Sequence, residues 1–144
     1  MNKVLTIGTF DLLHTGHINI FKKCRQIAGK DGMVTVGINT DDFISKYKGN
    51  NPAVPFLDRV IAIEATKYVD ATFGYNGPID NNVIRTHRPD FIVIGTDWAR
   101  KDYFKQLGIP LEEFEELGIS LVYTPYTKHI SSTIIKDRIC SQMR

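Results

Sequence analysis

Near the start of the chain, Gly8-Thr9-Phe10-Asp11-Leu12-Leu13-His14-Thr15-Gly16-His17 gathers the residue types best suited to handling a phosphate. The segment follows an apolar run, Val4-Leu5-Thr6-Ile7, and opens a helix-type segment. In α/β proteins the turn from strand to helix is where phosphates are held, because the helix's first N–H groups lack partners. Gly8 allows close backbone approach, and Gly16 keeps the helix entrance free of a side chain. His14 and His17 are three residues apart, so both imidazoles can address one anion from a single turn. Each donates hydrogen bonds and can carry charge near neutral pH, so the pair could stabilise a reacting phosphate. Such a pair can also cap and pack locally, or bind a metal. The strand-Gly-Thr-Phe-Asp lead favours phosphate, and no Gly-Lys-Ser/Thr follows to make a Walker loop.

These groups need a frame. Near-continuous apolar runs occur at Val4–Ile7, Met33–Ile38, Phe91–Ile94 and Ser120–Tyr123, with a weaker one at Ala71–Tyr75. That pattern marks parallel strands covered on both faces. Between them, His17–Ala28 sets Phe21, Cys24 and Ala28 on one helical face and stops at Gly29. Leu57–Tyr68 reads as a second helix whose inner face carries Leu57, Val60, Ile61, Ala65 and Tyr68. Shorter helices are expected at Ile79–Thr86 and Leu111–Leu117, the latter closed by Gly118. A last helix spans Ser131–Met143, with Ser131 as N-cap. Lys46–Pro55 reads as an irregular loop. Repeated β–α units imply right-handed crossovers and ligands at the carboxyl ends of the strands.

Composition limits the remaining choices. A chain of 144 residues, 42% hydrophobic and 24% charged, fits one domain spanning residues 1–144. A net charge of +2 gives no broad surface for nucleic acid or anionic lipid. The two cysteines, Cys24 and Cys140, are far apart and outside any ligand spacing, which suits a reducing cytosol. No signal peptide is visible, and no apolar stretch approaches the roughly 20 residues needed to cross a bilayer. A cytoplasmic location is expected, with no nucleic-acid and no membrane partner.

Gly8-Thr9-Phe10-Asp11 followed by His14-Thr15-Gly16-His17 resembles the HxGH signature of the nucleotidyltransferase superfamily, nearest its glycerol-3-phosphate cytidylyltransferase branch. Lys48-Gly49, Arg59, Lys67-Tyr68-Val69-Asp70, Gly95-Thr96-Asp97-Trp98 and Ile130-Ser131-Ser132-Thr133 fall in that family's order, so the likeness covers nearly the whole chain. The resemblance implies an α/β, Rossmann-like three-layer sandwich with a five-stranded parallel sheet. It implies transfer of CMP from CTP to a small phosphorylated acceptor by in-line attack, with glycerol 3-phosphate the leading acceptor. Catalysis is then mainly positioning and charge neutralisation. His14, His17 and Lys48 would be catalytic. Gly8, Thr9, Phe10, Asp11, Gly16, Asp97, Thr127, Ile130, Ser131, Ser132 and Thr133 would join the histidines in holding the nucleotide. Lys46, Arg59 and Lys67 would meet the acceptor, and Asp70 would orient a neighbour. Mg²⁺ would arrive on the nucleotide without direct protein ligands, near Asp11, and a homodimer is expected.

The sequence also departs from the family. Where relatives carry Arg-Thr-x-Gly-Ile-Ser, this chain has Tyr126-Thr127-Lys128-His129-Ile130-Ser131, which removes a bidentate phosphate contact. Lys128 or His129 could supply the missing cation. Lys67 replaces an arginine and loses its fork. Thr96 replaces an aspartate, and Arg100–Glu116 is longer than in compact relatives. Rival readings are an adenylyltransferase using ATP and a nucleotide-binding regulatory domain without turnover.

Overall fold

A computed structural model describes residues 1–77, 79–95 and 110–143. Each apolar run forms a strand: β1 (Lys3–Gly8), β2 (Met33–Asn39), β3 (Ala71–Tyr75), β4 (Phe91–Gly95) and β5 (Ser120–Thr124). They build one sheet in the order β3-β2-β1-β4-β5, with every neighbouring pair parallel. The helices are α1 (Thr15–Ala28), α2 (Asp41–Lys48), α3 (Phe56–Glu64), α4 (Asn81–His87), α5 (Leu111–Glu116) and α6 (Ser132–Gln142).

Because successive strand side chains point to opposite faces, the sheet feeds two cores. On one face Val4, Val34, Val36, Ile38 and Val93 pack with Phe21, Cys24 and Ala28 of α1 and Ile63 of α3. On the other, Leu5, Ile92 and Ile94 pack with Val83 and Ile84 of α4 and Phe114 of α5. The result is the expected three-layer α/β sandwich. The chain moves outward from β1 to β3 and then returns to place β4 on β1's other side. Between β1 and β4 the connections diverge, and such a switch point opens a crevice at the carboxyl ends of the strands. Pairing here covers Val4–Phe91 and Leu5–Ile92, whereas β1 and β2 stay in register from Lys3–Met33 to Gly8–Ile38.

Two helical expectations are corrected. Lys46 and Lys48 lie in the last turn of α2 and not in an irregular loop. Thr40 caps that helix by accepting from the Phe43 N–H at 3.3 Å, and Gly49 ends it in the left-handed conformation, φ 78°. The second correction is the length and face of α3. It ends at Glu64, short of Tyr68, and its buried residues are Arg59 and Ile63. Leu57 and Ile61 instead face outward, 71% and 65% exposed. Periodicity failed because apolar residues surround the helix while the largest of its buried side chains, Arg59, is charged.

Candidate active site

The loop after β1 takes an unusual path. Phe10 and Leu12 both adopt positive φ, at 53° and 50°. A side chain in that region carries a steric cost, so the surroundings must hold it there. Phe10 is 6% exposed, and its ring meets His17 edge-on at 5.4 Å and Phe21 at 5.1 Å. Gly8 lies beneath it: a Cβ there would come within 3.0 Å of the Phe10 ring. Asp11 fastens the loop's centre. Its carboxylate accepts the Ala53 N–H at 2.7 Å and the Val54 N–H at 2.9 Å, and its carbonyl accepts from Ser132 Oγ at 2.7 Å. Burial alone would raise the Asp11 pKa, but the two backbone donors and nearby Lys136 bring it below the ordinary value.

The histidines cap α1 as a pair. His14 Nδ1 accepts the Gly16 N–H at 3.0 Å, and His17 Nδ1 accepts the His14 N–H at 3.3 Å. Their rings stack with centroids 3.7 Å apart. With each Nδ1 serving as acceptor, the neutral rings carry their proton on Nε2, which leaves two Nε2–H donors. Burial lowers the pKa of His14. Burial first, then repulsion from His14, brings His17 down to about 4, against an opposing pull from Asp11. The pair therefore acts at neutral pH as neutral donors, where the sequence left charge open. Gly16 is needed for the same arrangement, since a Cβ would lie 2.7 Å from His14 Cε1.

The proposed acceptor-binding cations separate. Arg59, 2% exposed, is spent inside the protein: Nε donates to the Val54 carbonyl at 2.9 Å, and Nη1 donates to those of Thr9 and Asn39 at 2.7 and 2.9 Å. Nη2 pairs with Asp41 Oδ1 at 2.7 Å. It is a positioning residue that ties the Gly8–His17 loop to β2 and the α2–α3 connection, which corrects its assignment as an acceptor ligand. Lys67 also misses the site. It is exposed beyond the end of α3, with its ammonium 5.2 Å from the Tyr68 ring centroid. Lys46 is exposed and lines neither cavity described below, whereas Lys48 lines the larger one. Asp70 pairs with Arg25 and accepts the Val34 N–H at 2.8 Å, orienting neighbours as expected.

Two cavities meet over the β1–β4 crevice. The larger, about 410 Å³, is walled by Thr6–Asp11, Lys48, Asn50, Asn51 and Lys136. The smaller, about 240 Å³, is walled by His14, Gly16, Thr127, Ile130 and Ser131 with the end of β5. His17, Ile20, Gly95, Tyr126, Ser132 and Thr133 line both. Ser131 is spent capping α6, accepting from the Ile134 N–H at 3.1 Å. Thr127 Oγ1 accepts from Asn19 at 3.1 Å, fixing the approach to α6 against α1. The cleft thus brings together every described residue expected to hold the nucleotide. Asp97, with Thr96 and Trp98, lies outside the described residues.

Lys136, Asn50 and Asn51 were missed by the sequence reading. Lys136 sits one turn beyond Ser132, a spacing that puts both on one helical face and could have revealed it. The expected substitutes for a missing cation, Lys128 and His129, are exposed and line neither cavity. Among the described residues no group of three or more His, Cys, Asp or Glu could hold a metal. Both Asp11 oxygens already accept backbone N–H groups, so this carboxylate does not suit direct metal ligation.

A parallel α/β sandwich with paired imidazoles, a helix N-terminus and lysines around a two-part cleft has the parts of a nucleotidyltransferase. Residues 5–138 match the cytidylyltransferase-like family model, and the chain belongs to that family. It is 33% identical over 141 residues to glycerol-3-phosphate cytidylyltransferase of Bacillus subtilis (strain 168), covering 96% of this chain and 98% of that one. It is 32% identical over 139 residues to the FAD synthase of Korarchaeum cryptofilum (strain OPF8), covering 95% and 90%. A lipopolysaccharide core biosynthesis protein from Thermoplasma volcanium GSS1 shares the fold, with a TM-score of 0.67, 24% identity, and coverage of 90% and 99%.

Proposed function

We propose that this nucleotidyltransferase moves CMP from CTP to a small phosphorylated acceptor, with glycerol 3-phosphate the foremost candidate. The observation carrying the reading is the wall shared by the two cavities, where His17, Ser132 and Thr133 stand together. The nucleoside occupies the smaller cavity beside Tyr126, and the acceptor occupies the larger one beside Lys48. The nucleotide's phosphates lie along the common wall, against the N-terminus of α6 and the imidazole donors.

An acceptor phosphate oxygen attacks the α-phosphorus in line. A new P–O bond forms, the bond to the β-phosphate oxygen breaks, and pyrophosphate leaves with that electron pair. No covalent intermediate on the protein is required. The histidine Nε2–H groups and Lys48 stabilise the charge on the crowded α-phosphate, preorganised and partly shielded from water. Mg²⁺ carried on the triphosphate, without a direct protein ligand, would supply further charge neutralisation. The enzyme is proposed to work in the cytoplasm as a homodimer, which sedimentation would test.

Adenylyl transfer from ATP is the second reading, favoured by the similarity to proteins named FAD synthase. Pyrophosphate release over CTP, ATP, GTP and UTP, crossed with a panel of phosphorylated acceptors, decides between them. Turnover with CTP and a polyol phosphate supports the first reading, and turnover with ATP alone refutes it.

A further inference from the structure

Among the described residues lining the larger cavity, the formally charged side chains are Asp11, Lys48 and Lys136. Asp11 is nine-tenths buried and its oxygens are already engaged by two backbone N–H groups. Lys136 makes the weakest of these contacts with Asp11. Its ammonium stands 3.5 Å from Asp11 Oδ2, at the outer edge of hydrogen bonding, and its side chain is 49% exposed. A lysine held this loosely on a flexible stem can change partner without disturbing the loop beneath it. It also starts from a fixed base, because Ser132, one turn earlier on α6, donates to the Asp11 carbonyl.

Lys48 and Lys136 approach the cavity from different elements, the last turn of α2 and the second turn of α6. Asn50 and Asn51 lie in the same wall as Lys48 and supply amides suited to hydroxyl groups. A dianionic phosphate between the lysines would draw Lys136 more strongly than a carboxylate already satisfied by backbone donors. We propose that Lys136 is an acceptor-binding residue, moving from Asp11 to the phosphate of a hydroxylated acceptor and clamping it against Lys48. This rests on the functional reading above, and it assigns to α6 a role in acceptor recognition beyond contact with the nucleotide.

The test compares wild type, Lys136→Met and Lys136→Arg in two assays. In steady-state pyrophosphate release with CTP and glycerol 3-phosphate, Lys136→Met should raise the acceptor KM at least tenfold. The nucleotide KM should stay within twofold, and Lys136→Arg should recover most of the loss. A rise confined to the nucleotide KM, or no change in either KM, would overturn the proposal. In calorimetric titration with inorganic phosphate alone, Lys136→Met should weaken binding about tenfold, and Lys136→Arg should restore it. Equal phosphate affinity in wild type and Lys136→Met would also overturn it. If wild type turns over no substrate pair, the functional reading fails while the phosphate titration still decides the role of Lys136.

Discussion

His14 and His17 hold each other: the His14 backbone N–H donates to His17 Nδ1 while their rings stack 3.7 Å apart. The arrangement spends both Nδ1 atoms on the backbone and fixes which nitrogen faces the cleft. His17 is thereby a preorganised donor at the wall common to both cavities. His17→Ala should reduce kcat by roughly a hundredfold or more, the usual cost of removing one such donor. Circular dichroism should show the fold retained. Near-normal turnover would refute the assigned role.

Gly16→Ala separates the site from the scaffold. The new methyl would overlap the His14 ring, so the cap must yield, at a cost of about 1 kcal/mol. The gain in helix propensity from glycine to alanine is also about 1 kcal/mol. Stability by urea denaturation should therefore change little while turnover falls tenfold or more. A variant with full activity would show that the ring position does not matter.

Arg59→Met should act through the scaffold. It strips hydrogen bonds from the Thr9, Asn39 and Val54 carbonyls and leaves Asp41 without its partner. Leaving those carbonyls without a donor costs roughly 1–3 kcal/mol, whereas the Asp41 carboxylate, 41% exposed, can turn to water. Arg59→Lys should recover only part of this, because an ammonium cannot reproduce the planar fork. A variant of unchanged stability whose defect is confined to the acceptor KM would restore the direct-contact role.

Acid should weaken the protein before its carboxylates titrate. The His17 pKa falls from 6.5 to about 4 on folding, so between those values the unfolded chain binds more protons. Stability therefore rises with pH across this window and is lost as pH falls through it. The loss from His17 alone is roughly 2 kcal/mol by pH 5. His14 and His87, also lowered by burial, act in the same direction. Asp11 adds a further loss only at lower pH, because its lowered pKa starts from 3.8. Denaturation at pH 7 and pH 5 should show a smaller difference in His17→Gln than in wild type, and equal differences would refute the account.

Four strands were legible because their runs are near-continuously apolar, β3 less so because Thr72 and Gly74 occupy one of its faces, and α1 because Phe21, Cys24 and Ala28 repeat at helical spacing. The α2 helix escaped notice: its sequence, DDFISKYK, buries only Ile44, so caps define it more than periodicity does. The inner face of α3 was illegible for the opposite reason, since its anchor is an arginine satisfied by carbonyls contributed from elsewhere. In the site, Gly8, Gly16 and the two histidines were legible from their spacing after the first strand, whereas the hydroxyls of Ser132 and Thr133 were expected through the family resemblance. Lys136 went unnoticed although it lies one turn beyond Ser132, because its approach to Asp11 joins positions at opposite ends of the sequence.

That separation also dictates when the enzyme comes into being. The hydrogen bond from Ser132 to Asp11 closes a loop of 121 positions. Such distant contacts form late, after local helices and hairpin-scale structure, because their closure entropy must be met first. The imidazole pair is built from residues close in sequence, yet the cleft has no far wall until α6 docks. Transfer competence is therefore expected only once α6 has docked and this long-range contact has formed.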